Sequence, residues 1–323
     1  MRLFLAPMEG VVDHHVRDLL TRIGGIDICV TEFVRVSGPQ TLPERVFQKI
    51  CPELANHCQT PAGTPVRLQL LGGNPEALAQ NAAKASRVGA TAIDLNFGCP
   101  AKTVNNSDGG ASLLREPERV FNIVQAVRRA VPDHIPVSAK IRLGFEDRSA
   151  YLDNARAIFE AGADELTVHA RSKADGYKPP AYWDYIGRIK ETISIPVIAN
   201  GEIWSVEDWR RCREQSGCED FMLGRGLLAR PDLALAIRAE YLSQQHQTDE
   251  HQAMTWLQIA EMLFAYYQTT KDLYPHKFLG NRIKQWLSYL RREYPAAEEF
   301  FNDIKRLRLA IEFETAFKHQ LGH

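Results

Sequence analysis

The sequence predicts an α/β chain: a (β/α)8 TIM barrel followed by a small C-terminal all-helical domain. Short apolar runs rich in β-branched residues recur along the first two thirds of the chain. They are Leu3–Ala6, Ile28–Glu32, Val66–Leu70, Ala92–Asn96, Val137–Arg142, Leu166–His169, Val197–Asn200 and Asp220–Leu223. Several are apolar throughout, the pattern of parallel strands covered on both faces. Amphipathic stretches such as Asn74–Val88, Pro117–Ala130 and Tyr151–Ala161 alternate with them, which is the βα rhythm of a barrel. A doubly wound sheet is the alternative, and the count of eight favours the barrel.

Each unit is punctuated. Gly89-Ala90, Gly162-Ala163 and Gly217-Cys218 end helical stretches just before the next strand, where glycine stops a helix without steric cost. After about residue 240 no strand candidate remains. The polar, Gln- and His-rich stretch 243–254 reads as a linker between a barrel over 1–242 and a helical domain over 255–323. In that last part Ile283, Trp286, Leu287 and Leu290 make one apolar stripe, with Arg282, Gln285, Tyr289 and Arg292 on another face.

Composition narrows the class. The 323 residues carry 39 basic and 40 acidic side chains, a net charge of −1. A surface basic all over is excluded, so any nucleic-acid contact must be a local patch. Lys271–Arg308 offers one, with nine Lys/Arg against five Asp/Glu. No run reaches the roughly 18 apolar residues of a membrane span. With no signal peptide, the expectation is a soluble, cytoplasmic protein whose six cysteines are reduced. Cys51/Cys58 and Cys212/Cys218 complete no recognised metal set, so no metal is expected.

Barrel chemistry gathers at the C-terminal ends of strands. Those ends carry Pro7, Met8 and Glu9; Gln69; Asn96 and Cys99; Lys140 and Arg142; His169; Asn200, Gly201 and Glu202; Gly224 and Arg225. The last two sets are glycine-bearing loops after strands seven and eight, suited to phosphate through free backbone N–H groups and the Arg225 charge. Lys140 lies between Ala139 and Ile141 in an apolar strand, so it needs an anionic partner near the barrel mouth. Gly98 and Pro100 flank Cys99 in a sharp turn that projects its thiol into that mouth. No His adjoins it in sequence, which leaves acid catalysis open and gives nucleophilic catalysis no specific support.

Ala6-Pro7-Met8-Glu9-Gly10, Asp94-Leu95-Asn96-Phe97-Gly98-Cys99-Pro100 and Ile198-Ala199-Asn200-Gly201-Glu202-Ile203 resemble the motifs of the tRNA-dihydrouridine synthase family. Glu32–Val36 and Arg282–Leu290 resemble its bacterial C subclass, which modifies tRNA position 16. The resemblance implies a flavoprotein oxidoreductase of tRNA modification, with FMN in the barrel and a tRNA-binding helical domain. NADPH, or NADH, reduces the flavin. Hydride passes to C6 of a uracil in the tRNA D-loop, and Cys99 protonates C5. By the same resemblance Pro7, Met8, Glu9, Gln69, Lys140, His169, Asn200, Gly201, Glu202, Gly224 and Arg225 hold FMN. Arg35, Asn96, Arg142, Tyr177, Lys277 and Arg282 face the uracil or orient the tRNA, and the protein is expected to act as a monomer. Two other readings stay open. One is an FMN barrel acting on a small molecule; the other is a tRNA-binding protein without catalysis.

Overall fold

The structure is a computed structural model that describes residues 1–246, 251–273 and 275–322. Residues 247–250 of the expected linker, and Tyr274 and His323 of the expected helical domain, lie outside the described residues. The chain divides into two compact units. The first comprises Met1–His14, Ile26–Ile203 and Glu207–Gly224; the second comprises His15–Gly25, Trp204–Val206 and Arg225–His323.

All strands belong to the first unit. They are β1 (Leu3–Leu5), β2 (Ile28–Val30), β3 (Val34–Arg35), β4 (Val66–Leu71), β5 (Ile93–Phe97), β6 (Val137–Arg142), β7 (Glu165–His169), β8 (Val197–Asn200) and β9 (Asp220–Leu223). Every pairing is parallel. The order runs β2-β1-β9-β8-β7-β6-β5-β4-β3, and β2 also pairs with β4, which closes a barrel. The predicted TIM barrel is therefore the fold.

The second predicted strand is broken. Cys29 and Val30 face Val66 and Arg67, then Val34 and Arg35 face Leu70 and Leu71. One strand advances by four residues while the other advances by three, so β2 and β3 are one barrel position interrupted by a bulge. The Thr31 hydroxyl accepts from the Gln69 backbone N–H at 3.0 Å, replacing a ladder bond at the break. The helices follow the sequence closely. Pro75–Arg87 starts on Asn74, whose side chain accepts from the Ala77 N–H, and Pro117–Ala130 has the expected bounds. Gly89, Gly162 and Gly217 have φ of +108°, +90° and +60°, as their place at helix stops requires.

The barrel interior is layered and uneven. At the N-terminal end Arg2 pairs with Glu165 at 2.5 Å and Asp220 at 2.6 Å, and Arg67 pairs with Glu165 at 2.6 Å. Both guanidinium groups lie over the Phe4 ring, at 5.3 and 5.2 Å. Above this, Phe4, Ala6, Val30, Ile198 and Met222 form an apolar cluster. The strands on the other side, β4 to β6, place Gln69, Asp94 and Ser138 in a hydrogen-bonded group.

In the second unit the stripe Ile283, Trp286, Leu287 and Leu290 is buried as predicted. Trp286 stands edge-on to Tyr266 at 5.4 Å and donates its Nε1–H to the Leu228 carbonyl at 3.1 Å. Buried Asp232 bonds His251 Nε2 at 2.6 Å and accepts from the Met254 N–H at 3.2 Å. Helix Trp256–Thr270 opens on a Thr255/Gln258 capping box. Among the described residues no helix is long and apolar enough to cross a membrane.

Removing the shared carboxylate of the lower ion layer leaves Arg67 buried without a countercharge. Glu165→Ala is expected to cost about 3–5 kcal/mol of barrel stability, read as a lowered unfolding midpoint in urea. A parent-like midpoint would show that the layer is dispensable.

Candidate active site

The cysteine turn is built by Asn96. Its Oδ1 accepts from the backbone N–H groups of Gly98 at 3.0 Å and Cys99 at 2.9 Å. Its Nδ2 donates to Gln69 Oε1 at 2.8 Å. The amide at the end of β5 thus folds the chain back just where Gly98 and Pro100 permit a sharp turn. Behind Cys99, its carbonyl accepts from Asn105 Nδ2 at 3.0 Å and from the Ala111 N–H at 3.1 Å. The stretch 105–111 is thereby tied to the turn. Cys99 is half-buried while the other five cysteines are buried. Burial pushes its thiol above the ordinary range, against lowering by the Ala101 backbone and the Arg142 charge.

Arg142, at the end of β6, joins this turn to the loop after β7. Its Nε donates to the Gly98 carbonyl at 2.8 Å. Its Nη1 donates to the carbonyls of Ser172 at 3.1 Å and Gly176 at 2.9 Å. The guanidinium lies 5.0 Å from the centroid of the Tyr177 ring, which is 52% exposed. Arg35 reaches the same loop system from β3, donating to the Thr103 carbonyl at 3.0 Å.

Lys140 points to β8. Its Nζ donates to Asn200 Oδ1 at 2.9 Å, and Asn200 Nδ2 donates to the Met222 carbonyl at 2.8 Å. That second bond fixes which way the Asn200 amide faces. Burial first, and the Arg142 charge second, pull the ammonium down to about 8. His169 lies beside Gly201, where an added Cβ would stand 3.2 Å from its Nε2. Gly201 has φ of +113° and Glu202 of +59°, so the loop after β8 turns its backbone outward through two left-handed residues. Gly224, after β9, faces Ala6 and Met8, and a Cβ there would lie 3.6 and 3.7 Å from them. Pro7 and Met8 are half-buried and Glu9 is exposed on the loop after β1.

Arg171 follows His169 by two residues at the end of its strand and has no role among the expected site residues. It is fully buried, donates its Nε to the Pro180 carbonyl at 3.1 Å and pairs with Glu202 at 2.7 Å. It therefore holds both the Tyr177 loop and the loop after β8. An arginine at a strand end was the available signal.

Three of the predicted residues fall in the second unit. The Arg225 guanidinium lies 4.9 Å from the centroid of Trp204, and exposed Arg292 lies 4.1 Å from that same centroid. Arg282 bonds Gln285 Oε1 at 3.3 Å. Lys277 is exposed, with its Nζ 4.8 Å from the centroid of Phe278. Cys51 and Cys58 bring their sulfurs to 4.0 Å. Among the described residues no group of three or more His, Cys, Asp or Glu could hold a metal ion.

Polar side chains converging at the C-terminal ends of parallel strands define a barrel enzyme. Over residues 4–320 the sequence matches the dihydrouridine synthase family, and the chain belongs to it. It is an enzyme of that flavin-dependent, tRNA-modifying oxidoreductase class. The tRNA-dihydrouridine(16) synthase of Aquipseudomonas alcaligenes is 52% identical over 306 residues, 95% of each chain. That of Shewanella oneidensis is 50% identical over 323 residues, 100% of this chain and 99% of the relative. Among solved structures, histamine dehydrogenase from Rhizobium sp. 4-9 superposes with a TM-score of 0.55 at 14% identity. It covers 76% of this chain and 47% of its own, a likeness of fold.

A thiol whose pKa is raised holds less thiolate at a given pH than a free cysteine. Iodoacetamide should therefore label Cys99 more slowly than a cysteine peptide near pH 8, with the gap closing as pH rises past the raised value. Peptide mapping by mass spectrometry reads it. Labelling as fast as the peptide at pH 8 would remove burial as the dominant influence.

Proposed function

We propose that this enzyme reduces the C5–C6 bond of uridine 16 in the tRNA D-loop, with Cys99 as proton donor. The observation that carries the proposal is the placement of a half-buried thiol on a turn fixed by Asn96, at the barrel end where Lys140 and the Asn200–Glu202 loop converge. The position follows the names of relatives about half identical along nearly the whole chain.

The residues present suit FMN. Lys140 is a half-buried cation that donates to a neutral amide, Asn200 Oδ1, so an electron-rich ring beside it would be stabilised. The left-handed Gly201 and the side-chain-free Gly224 let a phosphate approach the backbone of these two loops. Arg225, next in the chain to Gly224, adds the positive charge in this reading. Pro7, Met8 and Glu9 line the ring through backbone, with Gln69 and His169 beside it. When bound, FMN supplies to uracil C6 a hydride taken from NADPH or NADH.

The chain's own part is positional and acidic. Asn96, Arg142 and Tyr177 receive a uracil turned out of the tRNA, since a stacked base cannot reach the barrel mouth. Cys99 holds its proton until it is delivered to C5, and burial favours that protonated form further. Arg35, Lys277 and Arg282 meet the tRNA backbone.

Cys99→Ala is expected to retain flavin and its reduction by NADPH while losing dihydrouridine formation by about 100-fold or more, the range of a general acid. Mass spectrometry of tRNA after reaction measures it, and parent-level product would remove Cys99 as proton donor. Arg35→Glu and Arg282→Glu should each weaken tRNA binding and flatten its salt dependence, because each lost phosphate contact removes a counterion-release contribution. Affinity at two salt concentrations tests this, and an unchanged slope in both would place the RNA surface elsewhere.

A further inference from the structure

The Asn96 amide that shapes the cysteine turn is itself oriented from deeper in the barrel. Gln69 accepts from Asn96 through Oε1 and donates through Nε2 to Asp94 Oδ2 at 2.7 Å. Asp94 Oδ1 accepts from the Ser138 hydroxyl at 2.6 Å. Gln69 is 0% exposed, Asp94 2%, Ser138 1% and Asn96 9%. Register places these residues side by side: Gln69 faces Asp94 across β4–β5, and Asp94 faces Ser138 across β5–β6.

The chain of bonds has a direction. Burial raises the Asp94 carboxyl, while hydrogen bonds from Gln69 and Ser138 and the charges of Arg67 and Lys140 favour its ionised form. As the acceptor of both hydrogen bonds it turns the Gln69 NH2 toward itself. The Gln69 oxygen then faces Asn96, which must present its own NH2 in return. That leaves Asn96 Oδ1 toward the turn, where the Gly98 and Cys99 N–H groups need an acceptor. Two amides that could each sit either way round are thus given one orientation by a carboxylate two residues removed. Were Asn96 reversed, its NH2 would meet two N–H donors and the turn would lose its cap.

We propose that Asp94 is a positioning residue for Cys99, acting through Gln69 and Asn96 to fix the turn that carries the thiol. This rests on the role of Cys99 given under Proposed function. Asp94 is linked to the Cys99 turn through Gln69 and Asn96, so its effect on the thiol is carried by hydrogen-bond polarity.

The test reverses that polarity. Asn96→Asp keeps an acceptor for the turn but sets a second carboxylate against Gln69, which can donate to only one of the two. Asp94→Asn added to it restores consistency. The new amide at 94 donates to Gln69 Oε1 and accepts from Ser138, and Gln69 Nε2 turns to the carboxylate at 96. Cys99 labelling by iodoacetamide and dihydrouridine formation are both measured on the flavin-loaded enzyme. Asn96→Asp is expected to shift each by about tenfold, and the double variant to recover most of it, a coupling expected of residues in one network. Asp94→Asn alone shifts them less, since Ser138 can accept as well as donate. If Asn96→Asp does not fold, recovery of folded protein with parent labelling in the double variant reads the same coupling. A double variant no better than Asn96→Asp, or an Asn96→Asp enzyme identical to the parent, overturns the proposal. An absence of dihydrouridine with the parent enzyme would instead overturn the functional reading, and the labelling pattern would still decide the role of Asp94.

Discussion

The inside of a closed parallel barrel has no room for water to satisfy polar groups, and that constraint shapes the rest of this molecule. A buried charge or amide must be bonded to another side chain or to backbone, or it costs more than it returns. The lower end meets the requirement with Arg2, Arg67, Glu165 and Asp220. One half of the middle avoids it with Phe4, Val30, Ile198 and Met222. The other half meets it with Gln69, Asp94, Ser138 and Asn96. Lys140 and Asn200 meet it at the mouth. The interior is therefore a set of bonded partnerships, and the partnerships decide where each functional group points.

This division also explains why the reactive end is asymmetric. Strands β4 to β6 carry the polar half, so the cysteine turn grows from β5 with its amide network beneath it. Strands β8 and β9 carry the glycine loops, where Gly201 and Gly224 leave space beside His169, Ala6 and Met8. Arg142 reaches the loop after β7 through Ser172 and Gly176, and Arg171, within that loop, ties it together through Pro180 and joins it to the loop after β8 through Glu202. The loop after β7 is held by both buried guanidinium groups, and it presents Tyr177 to the outside. Support beneath an exposed aromatic ring suits the base-receiving role proposed for Tyr177.

The barrel was legible in the sequence because its strands are apolar on both faces and its helices end on glycine. Those signals are local, and the strand and helix bounds came out within a few residues. The break at Thr31 was not legible, because a bulge is a mismatch between two strands and neither strand shows it alone. The same reason hid Asp94 and Ser138. Alternation places Asp94 and Asn96 on one face, but only register says that Gln69 and Ser138 lie next to them. The strand-end residues were readable as a group; their partners were not. Gln69 and Asn96, first read as ligands of flavin and uracil, already spend hydrogen bonds on the network that holds Cys99.

A proton donor and a nucleophile ask opposite things of a cysteine. A nucleophile needs a thiolate, hence a nearby cation or base. A donor needs its proton kept at working pH, hence burial that outweighs any cation. Cys99 has cations near it, Arg142 and Arg35 among them, yet burial is the larger influence and the thiol is raised. Arg142 is directed elsewhere, since it donates to the backbone carbonyls of Gly98, Ser172 and Gly176. The turn reinforces this, because the Asn96 oxygen takes up the backbone N–H groups of Gly98 and Cys99. Those donors would otherwise be available to stabilise a thiolate. The bonds that fix the direction of the thiol keep these two donors engaged, while burial outweighs the Ala101 backbone and the Arg142 charge in holding the proton on sulfur.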